Sequence, residues 1–469
     1  MERGQPASDA IGRRRILPGL RVIGSGMATY DPATYEQEIE RHFKWNFVVN
    51  SLDGAFFWFA MTFASTSTIL PVYVSRLTDS PLLIGLVQTI PGFGWLVPQL
   101  FTAPLVERMS RKKPYFIWVS LAGERAAFLV MALGAFFLSV RAPRSALIVF
   151  YVALIWHAFG AGMIATAWQE LVAKIIPLRW RGRFFGVANS LGAAMGVPGS
   201  LAATAILSHY EFPTNFALCF TITFIGVLIS WICVALTREP PGPARQGGEP
   251  VTAFLGRLGQ ILRTDSNFAH FLYTRIVGAL GGMFLGFVTV YAVQRFGLPD
   301  AVAGVFTTCM VLGQLVGNLA LGPIADRRGH KLVIEIGALC NIGALILILT
   351  APSPAATYIV FGLLGINMAS YLMSGMSITF EFSEPEVRPT YIGLASTIVG
   401  LFSGLSPILG GWLAGVVGYV WLFAICLIIL LVSWAMLHWW VVDPRFAVPD
   451  ARPGGVVIVR EGNDASSVV

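Results

Sequence analysis

The chain alternates between long stretches without charged residues and short segments rich in lysine and arginine. A helix needs about 20 consecutive apolar residues to cross a bilayer. Residues 114–140 predict one span, although Glu124 and Arg125 interrupt it, while stretches 336–380 and 389–442 are about twice as long and predict hairpins of two helices each. The other predicted spans are 54–75, 80–106, 145–169, 184–210, 212–237, 276–294 and 301–325. The pattern therefore predicts twelve membrane helices.

Two loop segments reveal an internal repeat. Residues 322–331 read Gly-Pro-Ile-Ala-Asp-Arg-Arg-Gly-His-Lys, and residues 103–112, which lie 219 positions earlier, read Ala-Pro-Leu-Val-Glu-Arg-Met-Ser-Arg-Lys. Gly85 and Gly304 match at the same offset. The repeat predicts two six-helix bundles. The predicted parts are an N-terminal tail 1–45, a first bundle 46–237, a linker 238–267, a second bundle 268–442 and a C-terminal tail 443–469.

Composition and charge place the chain in a membrane and orient it. Only 12% of its residues are charged, 55% are hydrophobic, and the mean hydropathy is +0.70. Of the 32 lysines and arginines, 26 fall in the tails and in the loops on the same side, against four in the opposite loops. Because cytoplasmic loops carry the excess of these residues, both termini are predicted to be cytoplasmic. The net charge of +7 is then a topology signal, and we expect no nucleic-acid partner.

The N-terminal tail contains one short periodic segment. Tyr35, Ile39 and Phe43 recur at intervals of four among charged residues. This spacing predicts an amphipathic helix that lies on the membrane surface before the first span.

The repeated loop segment resembles the signature of the major facilitator superfamily of secondary transporters, Gly-x-Leu-Ala-Asp-Arg-x-Gly-Arg-Lys, in the loop after the second helix. The resemblance covers about residues 46–442. It implies an all-α integral membrane fold of twelve transmembrane helices in two pseudo-symmetric six-helix bundles. It also implies a substrate site near the midplane between the halves, which rock to expose it on alternate sides.

By resemblance, the two loop segments form a gate on the cytoplasmic side. Its predicted members are Gly322, Asp326, Arg327 and Gly329 in the second copy and Glu107 and Arg108 in the first. A carboxylate there can accept hydrogen bonds from the N-terminus of a neighbouring helix, while Gly322 permits close packing and Gly329 a tight turn. The first copy departs from the signature at Ala103, Glu107 and Ser110. The alternative is a basic loop that only sets topology.

The twelve predicted spans are numbered here in chain order. In this numbering, helices 5 and 11 each combine glycines four residues apart with a nearby proline. Residues 192–199 contain Pro198 and residues 400–411 contain Pro407. Small residues at this spacing let helices pack closely in lipid, and an interior proline bends a helix. Both segments resemble the family's antiporter motif, Gly-x3-Gly-Pro-x2-Gly-Gly, without keeping its spacing. They favour export over import, and a kink that serves only packing is the alternative.

Three ionisable residues are candidates for proton coupling: Asp53 in helix 1, His157 in helix 4 and Glu381 at the end of helix 10. Ionisable groups inside a span are costly and usually face a cavity or a partner. Asp53 is the main candidate, since a shielded carboxyl group can exchange protons near neutral pH. The alternatives are that Asp53 caps a helix or pairs with Arg275, and that His157 only packs between helices.

The neighbouring residues Glu124 and Arg125 interrupt helix 3. Adjacent positions on an α-helix point about 100° apart. We therefore expect each of the two side chains to have a separate partner and a structural role.

Helix 10 carries a polar stripe along an otherwise apolar helix. Its positions recur at intervals of three and four, as expected for one face of a helix, although serines can instead bond to their own helix. The predicted cavity residues are Asn367, Ser370, Tyr371 and Ser374 on this helix, with Asn50, Arg275 and Trp168 from helices 1, 7 and 4. A single cavity arginine and several aromatic residues suit an amphipathic or aromatic solute better than a phosphorylated one.

Together these patterns predict a secondary active transporter of a small organic solute, driven by an ion gradient, most simply of protons, with export favoured. An uncoupled facilitator, an uptake symporter, and a non-transporting sensor, scaffold or lipid translocator are the alternatives. We expect no enzyme activity, cofactor or metal site. The expected setting is a monomer in the plasma or inner membrane, in contact with its solute and the bilayer.

Overall fold

The computed structural model describes residues 32–242, 261–383, 388–449 and 456–458. The first half contains α1 Pro32–Met61, α2 Ile69–Ser75, α3 Pro81–Glu107, α4 Lys113–Ser120, α5 Ala126–Leu138, α6 Pro143–Ile175, α7 Leu178–His209 and α8 Thr214–Ala235. The second half contains α9 Ser266–Gly281, α10 Val288–Phe296, α11 Val302–Arg328, α12 His330–Thr350, α13 Ala355–Glu381 and α14 Arg388–Trp440. Parts of both predicted tails and of the predicted linker lie outside the described residues.

The structure is consistent with the predicted number of spans. Within the described residues, ten helical segments are long and apolar enough to cross a membrane. One of them, α14, consists of two helices joined at Gly418, whose φ of 81° no α-helix adopts. The first predicted span, formed by α1 and α2, comes in addition. The all-α membrane fold is thus confirmed, and a two-stranded antiparallel pair, β1 Ala447–Pro449 and β2 Val456–Ile458, follows the last helix.

The first span of each half is interrupted at the same place. The first break covers residues 62–68, between α1 and α2, and the second covers residues 282–287, between α9 and α10. The two breaks lie at the offset of 219 residues that relates the halves. Interrupted backbone at membrane depth is tolerated where it is buried or lines a cavity. The hydrophobic pattern predicted continuous helices here. The run Ser65–Thr68 and the pair Gly281–Gly282 are the signals of the breaks.

The predicted surface helix is instead the beginning of the first span. Helix α1 runs without interruption from Pro32 to Met61. Phe43 packs on Trp180 of α7, with 5.3 Å between ring centroids, and Phe47 packs on Phe184 at 5.5 Å. The apolar face of the amphipathic segment is therefore covered by α7, so a membrane surface is not needed to bury it.

The two halves are joined mainly near one end of the bundle. We call the end that carries Arg76 and Asp300 the far side, and the end that carries Glu107, Arg238 and Asp326 the linker side. At the far side, Arg76 forms an ion pair of 2.7 Å with Asp300. The hydroxyl groups of Thr68 and Thr307 lie 2.6 Å apart, and Thr289 donates to the carbonyl of Ser67 at 2.7 Å. Thr308 also donates to Ser200 at 3.0 Å.

Close helix contacts extend this closure toward the middle of the membrane. Helix α3 contacts α14 from Gly85, which faces the carbonyl of Pro407, to Leu96, which faces Gly400. Helix α7 contacts α11 where Thr204 meets Gly304. Farther toward the linker side, α3 exposes Phe101 and α11 exposes Leu319, at 76% and 71%. The structure is therefore closed at the far side. We call the linker side splayed in the limited sense that the linker-side parts of α3 and α11 are not covered by the opposite half at these positions.

Candidate functional site

A cavity of about 460 Å³ lies mainly in the second half, beside the two breaks. Thr66 and Ser67 of the first break line it, as do Gly282 and Leu285 of the second. The other half contributes Gln88 of α3, whose amide donates to Ser67 at 3.3 Å. The cavity lies on the linker-side face of the far-side closure and contacts both halves. This is where alternating access places a solute site, near the middle of the membrane and between the halves.

Arg275 of α9 is the charged residue of this cavity. Its guanidinium stacks over the ring of Tyr371 on α13, 4.4 Å from the ring centroid. Cation–π contact favours this arrangement and holds the guanidinium plane. Among the described residues, no carboxylate forms an ion pair with Arg275. The predicted cavity residues Asn367 and Ser370 also line the cavity. They belong to the part of the polar stripe of predicted helix 10, which is α13 in the structure, that lies nearest Arg275.

Two further cavity residues were not predicted from the sequence. Asn341 of α12 is buried, and its Oδ1 has no hydrogen-bond partner among the described residues. The indole Nε1 of Trp434, in the second arm of α14, is likewise buried and unpartnered within the described chain. Asn341 gave a signal in the sequence, since it is an isolated amide in a predicted span. Trp434 gave none, because tryptophan near a span end is ordinary.

The structure places three predicted cavity residues elsewhere. Asn50 is buried between α1 and the end of α8, where its amide donates to Thr237 at 3.0 Å. Ser374 is buried against α12 and lies 3.0 Å from Nδ1 of His330. Trp168 packs in the linker-side core of the first half. The spacing and polarity of residues in the sequence identified polar faces on these helices. At these three positions the face is covered by a neighbouring helix and does not reach the cavity.

Asp53 lies inside the first half, away from the cavity. Its Oδ1 accepts a hydrogen bond of 2.6 Å from the Ser230 hydroxyl of α8, and only 6% of the residue is exposed. The positive charge of Arg125 attracts this carboxylate. The alternative pairing with Arg275 is not found, because that arginine faces the cavity of the other half.

Glu124 and Arg125 bond to each other, contrary to the expectation of separate partners. They lie in a π-helical turn, Leu121–Arg125. Such a turn is wider than an α-helical one because its hydrogen bonds join residues five apart, so neighbouring side chains point at a smaller angle to each other. Both are buried, at 5% and 3% exposure. His157 of α6 joins this group, since its Nδ1 lies 3.4 Å from the Glu124 carbonyl and its ring 4.5 Å from that of Phe128. The first half therefore holds a buried charge cluster, which we define as Asp53, Glu124, Arg125 and His157.

The predicted gate residues lie at the linker side without forming a latch. Asp326 and Arg327 are exposed, and the Asp326 side chain has no bonding partner within the described residues. Its backbone carbonyl accepts instead from Arg445, at 3.1 Å. Gly329 adopts φ 90°, which confirms the tight turn, and a side chain there would collide with Asp443.

The other members of the gate make few contacts. A Cβ at Gly322 would meet only Met373, at 4.0 Å, so close packing is not the reason for this glycine. Glu107 is half-buried and Arg108 exposed. Unlatched loops agree with a structure that is splayed on this side.

Glu381 is tied to the C-terminal segment. Its carboxylate bonds to Arg445 and lies 3.8 Å from Nε2 of His330. Since Arg445 also donates to the Ala325 carbonyl at 2.9 Å, Glu381 helps to hold the ends of α11 and α13 together. It is therefore a linker-side structural group in this conformation and not a cavity carboxylate.

The two predicted bend prolines lie inside helices at the interface between the halves. Pro198 is in α7 and Pro407 in the first arm of α14. The carbonyl of Pro407 lies so close to Gly85 of α3 that a Cβ there would collide with it. These prolines thus belong to the helix pairs along which the halves meet.

Comparison with known proteins decides the family. The sequence profile described as Major Facilitator Superfamily matches residues 52–301 and 271–459. The chain belongs to the Major Facilitator Superfamily. It is therefore a multi-pass membrane protein of a transporter family, and the resemblance read from the loop segments is confirmed.

Individual superfamily relatives are distant. Solute carrier family 67 member A1 of Homo sapiens is 30% identical over 182 residues, which is 38% of this chain and 41% of the relative. The fosmidomycin resistance protein of Escherichia coli is 30% identical over 134 residues, 29% of this chain and 31% of the relative. The aligned stretches thus span less than half of either relative.

A solved superfamily structure shows the same fold. The crystal structure of a D-xylose–proton symporter has a TM-score of 0.64 at 14% identity, with 86% of this chain and 99% of that chain covered. At this identity the likeness establishes the architecture and leaves substrate and coupling to the residues of this chain.

Proposed function

We propose that the chain is a proton-coupled secondary active transporter that moves a small organic solute by alternating access. The observation that carries the proposal is the combination of a closed far side, a splayed linker side and a cavity between them that contains an arginine without an acidic partner. Membership of a transporter family supports the same reading. No cofactor is needed, because the ion gradient supplies the driving force.

The buried charge cluster supports a proton as the coupling ion. Asp53 lies among α1, α4–α5 and α8, where its carboxylate is held by Ser230 and attracted by Arg125. Carboxylates and histidines inside membrane segments are typical of proton relays. In our proposal, protonation of Asp53 weakens its attraction to Arg125 and changes the packing of α1, which also contacts the interface helix α7 through Gly54.

Export from the cytoplasm is the proposed direction. The glycine–proline segments of α7 and α14 each contribute a glycine to the interface between the halves, Gly196 against Val311 and Gly404 against Phe93, which supports the resemblance to the antiporter motif. The name of the Escherichia coli relative refers to drug resistance, which also favours export. The lysine and arginine distribution supports an inner or plasma membrane location with cytoplasmic termini, so the linker side would face the cytoplasm. We propose a monomer as the transporting unit.

One observation favours an uncoupled facilitator as the second candidate. The residues that line the cavity include no aspartate, glutamate or histidine within the described chain. A proton bound by the charge cluster of the first half would then have to affect the solute site through changes in helix packing. A facilitator needs no such connection, so the two candidates differ in whether the charge cluster affects transport.

The test is accumulation in energised inverted membrane vesicles from cells that produce the protein. A panel of organic compounds would be assayed against vesicles without it. We expect at least one compound to accumulate against its gradient and to leave when an ionophore collapses the pH gradient. Accumulation that never exceeds equilibration, with or without the ionophore, would contradict proton coupling and favour the facilitator.

A further inference from the structure

The strongest unexplained feature of the cavity is the isolated charge of Arg275. A charged side chain inside a membrane segment is costly, and such residues normally pair with an opposite charge or mark a substrate path. Arg125 in the first half illustrates the paired case, since it bonds to Glu124. Arg275 has only the ring of Tyr371 among the described residues. Its missing counter-charge is therefore expected to come from a ligand.

The geometry around Arg275 suits a carboxylate. The stacked ring of Tyr371 lies against one face of the guanidinium, 4.4 Å from its central carbon, so this contact does not use the N–H donors of the guanidinium edge. The edge of an arginine presents two parallel N–H donors, which match the two oxygens of a carboxylate. Arg275 is the only lysine or arginine among the described lining residues. A single cation balances a monoanion, whereas a phosphate dianion would leave charge uncompensated.

The remaining lining describes the body of the ligand. Much of the cavity surface is apolar, with Met310, Ile334, Phe361 and Leu364 among its lining residues. A volume of about 460 Å³ is in the range of small-molecule sites. The ligand is therefore expected to be an organic anion with an apolar body.

Two buried polar atoms add specificity. Oδ1 of Asn341 is an acceptor and Nε1 of Trp434 a donor, and neither has a partner within the described residues. Buried polar groups without partners are rare, and leaving one unpaired is costly. Both residues line the cavity, but these two atoms are turned away from its open space. A turn of the side chain toward the cavity would let Asn341 bind a ligand hydroxyl or amino group and Trp434 bind a ligand oxygen.

We propose that this cavity binds an amphipathic organic monocarboxylate, with the carboxylate on Arg275 and a polar substituent of its body on Asn341 or Trp434. The proposal rests on the proposed function, because it names the solute class of that transporter. The three residues that it assigns to recognition all lie in the second half.

The experiment uses three matched probes and the purified full-length protein in nanodiscs. The probes are para-hydroxyphenylacetate, its neutral amide, and phenylacetate, which lacks the hydroxyl group. Binding is measured by calorimetry on the wild type and on Arg275→Gln, Arg275→Lys and Asn341→Leu. Arg144→Gln is the matched control, because Arg144 is exposed and lies outside the cavity. Monodisperse size-exclusion profiles establish that each variant is folded.

We expect the wild type and the control to prefer para-hydroxyphenylacetate over its amide by about tenfold or more, since charge-assisted hydrogen bonds are the strong ones. Arg275→Gln abolishes that preference and Arg275→Lys keeps part of it. Asn341→Leu reduces only the advantage over phenylacetate. Equal binding of acid and amide by the wild type, an unchanged preference in Arg275→Gln, or binding of neither acid would overturn the proposal.

The outcome separates this inference from the proposed function. Proton-driven accumulation of a neutral or cationic compound, together with absent carboxylate binding, would remove the solute class and leave the transporter. Carboxylate binding that depends on Arg275, without any gradient-driven accumulation, would keep the site and remove proton coupling.

Discussion

The two halves share one fold and place their charges differently. In the first half the acidic residues of the buried charge cluster are bonded to a partner within that half, as Glu124 is to Arg125 and Asp53 to Ser230. In the second half Arg275 faces a cavity and has no acidic partner within the described residues. The same scaffold therefore holds a closed charge cluster on one side and an open solute site on the other.

The difference teaches how a duplicated bundle can divide its tasks. Both halves keep the interrupted first span, with breaks at residues 62–68 and 282–287, and both contribute to the far-side closure. What differs is where charged residues were placed on this common frame. In our account the first half responds to protons and the second half recognises the solute, and the following experiments test that division.

The largest expected effect is a difference in stability between substitutions of Arg125 and of Arg275. Arg125→Leu leaves Glu124 buried without its partner, and breaking a buried ion pair in this way costs about 3 to 5 kcal/mol. Arg275→Leu removes no ion pair within the described residues, so the free energy of unfolding should change little. Thermal unfolding of both purified variants checks this contrast. Equal destabilisation by the two substitutions would mean that Arg275 is also structural.

The next effect separates coupling from recognition. Asp53→Asn keeps an acceptor for Ser230 but cannot change its charge, so accumulation driven by the pH gradient should fall by about tenfold or more while downhill exchange persists. Arg275→Gln should impair both, since the solute no longer binds. Vesicle transport with and without a pH gradient measures the two modes. Loss of downhill exchange in Asp53→Asn would place this residue in the solute path.

A third effect concerns the contact between the halves. A Cβ at Gly304 would lie 2.5–2.7 Å from atoms of Thr204, so Gly304→Val should force the far side apart. Thr66→Cys in the cavity would then react about tenfold faster with an impermeant thiol reagent added at the far side. Gly186→Val is the control, because a Cβ there meets nothing within 4 Å. An unchanged rate in Gly304→Val would show that this contact does not close the far side.

The smallest effect concerns the ion pair between Arg76 and Asp300. Because the Arg76 side chain is 49% exposed and Asp300 only 8%, solvent screens the pair and Arg76→Gln should weaken closure by about 1 kcal/mol or less. The reactivity of Thr66→Cys should rise a few-fold, and less at high salt. The double variant with Asp300→Asn should add little to the single one. Strict additivity of the two substitutions would show that they do not interact.

Much of the architecture could be predicted from hydrophobic length and the repeated loop segment, because span length and backbone satisfaction leave few alternatives in a bilayer. The breaks in the first span of each half could not be predicted in this way. The run Ser65–Thr68 is short and uncharged, so it does not interrupt the hydrophobic stretch from which the span was predicted. The continuity of α1 was missed because an amphipathic face can be covered by protein as well as by lipid.

The candidate site was predictable only in part. Arg275, Asn367, Ser370 and Tyr371 stood out because charge and polar periodicity are visible in sequence. Asn341 needed the structure, since pairing depends on what faces it. The expectation that Glu124 and Arg125 have separate partners failed because a π-helical turn depends on packing and leaves no periodic signal.

The most direct test of the division between halves needs no solute. Spin labels would replace Phe101 and Leu319, which are exposed on the linker-side parts of α3 and α11, in a cysteine-free background in nanodiscs. Double electron–electron resonance would give the distance distribution at acidic and at alkaline pH. We expect the distribution to shift between the two, and Asp53→Asn to abolish the shift while Arg275→Gln leaves it intact. A shift that survives in Asp53→Asn, or disappears in Arg275→Gln, would contradict the account.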